Sequence, residues 1–120
     1  MVNLPESYQT ARQIAAFALT KKAKNVVLMD LRRISSVTDY FICCHGESDV
    51  QVKAIADAII NGMKNKGQRP WHKEGLDVNN WVLLDYVDVV VHIFQKETRL
   101  FYGLERLWGD AETETFQEED

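Results

Sequence analysis

Residues 81–94 constrain this chain more than any other stretch. Trp81-Val82-Leu83-Leu84-Asp85-Tyr86 is followed by Val87-Asp88 and then by Val89-Val90-Val91-His92-Ile93-Phe94. β-Branched and aromatic residues dominate both runs, each run is too short for a stable helix, and a turn-favouring aspartate lies between them. The pattern predicts an antiparallel hairpin. In the first run Trp81, Leu83 and Asp85 share one face, while Val82, Leu84 and Tyr86 share the other. A carboxylate is costly in a dry core unless paired, so the Trp81–Leu83–Asp85 face is expected to be the less covered one. Tryptophan beside an aliphatic residue and an acid has the composition of a protein–protein hot spot. The alternative is that Trp81 packs beneath a helix.

The remaining elements follow from periodicity. Residues 7–24 read as a first helix, with Tyr8, Ala11, Ala15 and Ala18 on one stripe and Lys21, Lys22 and Lys24 closing the last turn. Residues 25–31 and 40–45 read as strands, and the short polar connection between them predicts antiparallel pairing. Ser48 followed by Gln51 predicts a capping box. Val52, Ile55, Ala56, Ile59, Ile60 and Met63 then form a helical stripe that stops near Gly67. Residues 68–74, with Pro70 and Trp71, predict a short edge strand. Residues 97–108 carry Leu100, Phe101, Leu104, Leu107 and Trp108 at helical spacing and predict a last amphipathic helix. The resulting expectation is one α/β (α+β) domain: a five-stranded mixed sheet with three main helices. A parallel crossover is permitted between the second and third strands.

Composition excludes several classes of function. The 120 residues suit a single domain, and no apolar run is long enough to cross a membrane. The start, Met1-Val2-Asn3-Leu4-Pro5-Glu6, lacks the features of a signal or transit peptide, so a cytoplasmic protein is expected. The net charge of −4 is uneven. Residues 110–120 hold six acids and no base, leaving 14 basic and 12 acidic side chains in residues 1–109. The expectation is a near-neutral domain over 1–109 and an acidic, disordered tail over 110–120. No basic stripe suggests nucleic-acid binding. Cys43 and Cys44 are neighbours on a strand, point to opposite faces, and are expected to be buried, reduced thiols.

The residues offer little chemistry. Gly46-Glu47-Ser48 has too few glycines for a phosphate loop and reads as a turn and cap. Asp85 and Asp88 are three apart, whereas two carboxylates sharing a metal on one strand need i, i+2 spacing. His45, His72 and His92 lie on three different strands, and His92 reads as a hydrogen-bonded core histidine. No cofactor or metal is expected. An enzyme using Asp39, Asp85 or Asp88 with magnesium, as a nucleotidyltransferase would, is the alternative.

Two blocks carry a family resemblance. Ser35-Ser36-Val37-Thr38-Asp39-Tyr40-Phe41-Ile42 with Gly46-Glu47-Ser48-Asp49-Val50-Gln51-Val52-Lys53-Ala54-Ile55-Ala56-Asp57 is the first. The second is the hairpin above with Arg99-Leu100-Phe101-Tyr102-Gly103-Leu104-Glu105-Arg106-Leu107-Trp108. Together they resemble the Iojap-like ribosomal silencing factors over residues 8–108. The resemblance implies a fold related to nucleotidyltransferases without their catalytic carboxylates. It implies binding to the fourteenth protein of the large ribosomal subunit, a steric block to small-subunit joining, and repression of translation when nutrients are scarce. The implied partner surface is Trp81, Leu83, Asp85 and Tyr86, extended by Lys73, Glu74 and Asp77; Asp39, Tyr40 and His92 serve the fold. A free homodimer is a further expectation. One departure is Val87, where the family usually has glycine; a β-branched residue disfavours positive φ, so a different turn is expected there.

Overall fold

In a computed structural model, which describes residues 4–103 and 109–117, the chain forms one mixed sheet with helices on both faces. The elements in order are α1 (Glu6–Leu19), β1 (Lys24–Asp30), β2 (Tyr40–Gly46), α2 (Asp49–Asn65), β3 (His72–Glu74), β4 (Trp81–Asp85), β5 (Val89–Gln95), α3 (Lys96–Tyr102) and β6 (Glu112–Phe116). The strand order is β3-β4-β5-β2-β1-β6. Six strands replace the expected five, because Glu112–Phe116 in the acidic segment pairs antiparallel with β1. Alternation of Thr113 and Thr115 with acids and Phe116 suits a half-buried edge strand, and Phe116 packs against the main core. Charge composition alone concealed that pattern.

Among the described residues β2 and β5 are the only parallel pair, from Tyr40 opposite Val89 to Gly46 opposite Gln95. The crossover through α2 therefore does not set β3 beside β2. It carries the chain to the far edge, and the β4–β5 hairpin brings it back. Burial explains the order. β3 is His72-Lys73-Glu74, exposed throughout, and belongs at an edge; β5 is buried at every position from Val89 to Phe94 and needs cover on both faces.

α1 and α2 cover one face. Ile14, Ala15 and Ala18 of α1 meet Val52, Ile55, Ile59 and Met63 of α2 over Val26, Ile42, Val82, Leu84, Val91 and Ile93. Burying each isoleucine stabilises by roughly 1.5–3 kcal/mol. Small residues bring the helices close: a Cβ on Gly62 would stand 2.6 Å from the Phe17 ring. Cys44 faces this core and Cys43 the opposite one; both thiols are buried, and burial pushes Cys44 up to about 12.

Helix ends depart from expectation in instructive ways. α1 stops at Leu19, so Lys21, Lys22 and Lys24 lie beyond its last turn. Ala23 N–H donates to the Ala18 carbonyl and Lys22 N–H to that of Leu19, with Lys22 at φ 61. This is the two-bond left-handed stop that glycine usually makes. Ala23 is buried beside Ala18, which holds the turn despite the lysine. Ser48 does cap α2, accepting the Gln51 N–H at 3.1 Å. The Gln51 side-chain oxygen, however, accepts from Glu47 N–H, while its amide donates to the carbonyls of Lys21 and Lys22. One glutamine thus ties the end of α1 to the start of α2. α3 ends at Tyr102 because Gly103 turns left-handed at φ 57. The expected helix over 97–108 therefore breaks there, and Leu104, Leu107 and Trp108 lie outside the described residues.

At the hairpin tip Val87 takes φ 75, against the expectation that a β-branched residue would avoid it. Tyr86 N–H donates to the Val89 carbonyl and Asp88 N–H to that of Tyr86, closing a three-residue turn. Asp85 Oδ1 accepts the Val87 N–H at 2.8 Å and stabilises the strained conformation. Val87 is 57% exposed, so little burial offsets the strain. Val87→Gly is expected to stabilise the fold by about 1 kcal/mol, read as a higher denaturant midpoint at unchanged slope.

Candidate partner-binding face

The second face of the sheet carries Phe41, Cys43 and His45 of β2, Val90, His92 and Phe94 of β5, and Trp81, Leu83 and Asp85 of β4, alternating with the residues of the main core. It is closed at its centre and opens towards β4 and β3. Cys43, Met29 and Leu31 are buried with Phe41, Val27 and Ala111 around them. Arg99 of α3 is also buried there, donating to the Asn25 carbonyl at 2.8 Å and lying 3.0 Å from His45 Nδ1. On β4, Val82 and Leu84 are buried against the helices, while Trp81, Leu83 and Asp85 are only partly covered. The open face is therefore the one that alternation and the position of Asp85 predict.

Among the described residues, Phe94, His92 and the loop over 75–80 hold Trp81. Register places it opposite Phe94, with ring centroids 5.1 Å apart. His92, its diagonal neighbour, accepts the indole N–H on Nδ1 at 3.1 Å. The loop over 75–80 passes so close that a Cβ on Gly75 would stand 2.0 Å from the Trp81 carbonyl oxygen, and Gly75 has φ 84. His92 itself is 4% exposed, edge-on to Phe41 at 4.6 Å and stacked on Phe94 at 6.1 Å. Its Nδ1 accepts, so the neutral ring carries its proton on Nε2, which is buried and finds no partner among the described residues.

The expected site residues divide between places. Trp81, Leu83 and Asp85 share the open face, and Glu74 and His72 of β3 register opposite Leu83 and Asp85 on that same face. Lys73 registers opposite Leu84, a helix-side position, and is exposed at the sheet edge. Tyr86 turns away: it packs half-buried against the main core, and burial pushes its hydroxyl up to about 12. Asp77 is exposed in the loop before β4. Asp39 serves the fold, accepting from Ser7 Oγ at 2.7 Å and so fastening the start of α1 to the start of β2. Sequence reasoning did not find a groove of about 340 Å³ beside Asp85, lined by Val37, Thr38, Trp71, Val87 and Val90. Three separate loops and turns supply its exposed apolar walls, so no local pattern marks it.

Among the described residues no three His, Cys, Asp or Glu side chains converge as a metal site, and no helix is long and apolar enough to cross a membrane. With this geometry in place, comparison with known proteins identifies the family. The model of the family described as "Ribosomal silencing factor during starvation" matches residues 4–120. The chain belongs to this family. The ribosomal silencing factor of Bacillus subtilis is 48% identical over 100 residues, covering 82% of this chain and 85% of that protein. The chloroplastic Iojap protein of Zea mays is 35% identical over 109 residues, covering 88% of this chain but 46% of its own length. A crystal structure of a protein from Chromobacterium violaceum superposes with a TM-score of 0.85 at 30% identity, covering 88% of each chain. The general function that goes with this family is ribosomal silencing, a form of translation regulation.

Burial lowers the His92 imidazole from its usual value of 6.5 to about 4. The unfolded chain therefore binds a proton near pH 6.5 that the native protein refuses until about pH 4, so the residue subtracts stability as pH falls through that window. The loss amounts to about 3 kcal/mol between pH 7 and 4. Denaturant titrations of wild type and His92→Phe at several pH values are expected to show a steeper acid loss in the wild type, and equal slopes would contradict the assignment.

Proposed function

We propose that this protein silences ribosomes by binding the large subunit through its fourteenth protein and sterically blocking the small subunit, in the cytoplasm and under nutrient limitation. The observation that carries the reading is the open strand face, where Trp81, Leu83, Asp85 and Glu74 stand together on paired strands beside a fully packed core. A tryptophan backed by Phe94 and His92 is a rigid, amphipathic anchor of the kind that dominates protein interfaces. Lys73 and Asp77 flank the face, and Tyr86 supports the strand end from the core side. A body of 40 × 33 × 33 Å lodged at a subunit junction prevents closure without any chemistry.

The same reading makes the protein a binder rather than an enzyme, on a scaffold related to nucleotidyltransferases. The acids that a nucleotidyl-transfer mechanism would recruit have other duties: Asp39 accepts from Ser7, and Asp85 accepts the Val87 N–H. The partly covered apolar face also offers a homodimer when no ribosome is present.

Co-sedimentation with purified subunits tests the proposal. The protein is expected to pellet with large subunits alone and to lower the yield of joined particles when both subunits are mixed; absence from the large-subunit pellet would reject it. Trp81→Ala is expected to weaken large-subunit binding by about 2 kcal/mol, roughly 30-fold, with the fold intact by circular dichroism.

A further inference from the structure

We propose that His92 is a positioning residue for docking: its Nδ1 fixes the Trp81 indole on the open face and consumes the indole N–H. The partner then meets Trp81 through apolar contact alone, offering an aliphatic side chain and no hydrogen-bond acceptor at that point. This inference rests on the large-subunit reading for the identity of the partner, but the geometry behind it is independent of that reading.

Three observations carry it. The Trp81 Nε1 to His92 Nδ1 distance of 3.1 Å is that of a formed hydrogen bond, so the only polar group of the indole is occupied within the domain. The histidine is clamped: Phe41 meets it edge-on, Phe94 stacks on it, and 96% of its surface is covered, so its acceptor has a fixed direction. Finally, the arrangement leaves the Nε2–H of His92 buried with no partner among the described residues. A phenylalanine would fill the same volume between the same rings without an unsatisfied donor. Packing alone therefore favours Phe at position 92. The Nδ1 acceptor is what histidine adds there, and Trp81 is what receives it.

Stability and docking should consequently move in opposite directions across two variants. His92→Phe keeps the ring stack and loses the acceptor. His92→Asn keeps an acceptor near the Nδ1 position and loses the stack. In co-sedimentation with large subunits, His92→Phe is expected to bind about tenfold more weakly although its thermal midpoint equals or exceeds that of the wild type. His92→Asn should retain most of the affinity at a lower midpoint. Trp81→Phe, which lacks the N–H, should bind far better than Trp81→Ala, and adding His92→Phe to it should cost nothing further. The indole N–H resonance of Trp81 should move upfield in His92→Phe and stay close to the wild-type position in His92→Asn.

Wild-type affinity in His92→Phe would overturn the inference, as would affinities that simply follow the thermal midpoints. A Trp81→Phe variant as weak as Trp81→Ala would show that the partner needs the indole N–H. If the wild type itself does not pellet, the large-subunit reading fails and the docking role of His92 fails with it. An indole resonance that is unchanged in His92→Phe would then also reject the positioning of Trp81.

Discussion

The parallel pairing of β2 with β5 is the constraint on which the rest of the structure depends. Tyr40–Gly46 and Val89–Gln95 lie at the centre of the sheet, and neither strand can be exposed on either face without leaving a long apolar ladder in water. Two separate covers are therefore required. On one side α1 and α2 close over Ile42, Cys44, Val91 and Ile93. On the other, Phe41, Cys43, His92 and Phe94 need their own neighbours, drawn from β1, from Trp81 and from Arg99. A parallel pair also needs a long connection. That connection is what places β3 at the far edge and makes the β4–β5 hairpin the return path.

The same architecture explains why the candidate face lies where it does. Cover on the second side buries Cys43, His45, Val90, His92 and Phe94, leaves Phe41 half-buried, and thins out over β4 and β3, the end of the sheet farthest from β6. A tryptophan at the boundary has one edge in the core and one towards solvent. Its polar atom is satisfied inward by His92, and its backbone is crowded by the glycine at 75. Rigid presentation of a large apolar group lowers the entropy lost on binding. While Lys22 takes its own left-handed conformation after α1, the β4–β5 hairpin tip holds one strained residue, the left-handed valine at 87. Asp85 links the two features, because its side chain stabilises that turn from a position on the open face.

Most of the secondary structure was legible because its signals are local. The hairpin came from two β-branched runs around an aspartate, α2 from its stripe and its Ser48 cap, and the opposite facing of Cys43 and Cys44 from strand alternation alone. The failures share a physical cause. Lys22 and Val87 occupy left-handed conformations that their side chains resist, and both are held by longer-range demands: burial of Ala23 in one case, closure of the β4–β5 ladder in the other. β6 was hidden because its acids suggested a solvated tail, while its stabilisation comes from pairing with β1. Its Glu114 carboxylate also accepts a hydrogen bond from the Tyr8 hydroxyl, 106 residues earlier in the chain.

For the site, the sequence by itself determined which residues share a strand face. A period of two decides that Trp81, Leu83 and Asp85 point one way and Val82 and Leu84 the other, whatever the strand packs against. It also determined the family, through motifs spread over most of the chain. The tertiary structure decided what each of those side chains meets. It brought Glu74 beside Leu83 and set His92 under the indole of Trp81. It also assembled a groove from residues as distant as Val37, Trp71 and Val87. Those relations depend on sheet order and register, which arise from burying all the apolar faces at once, and no local pattern contains that information.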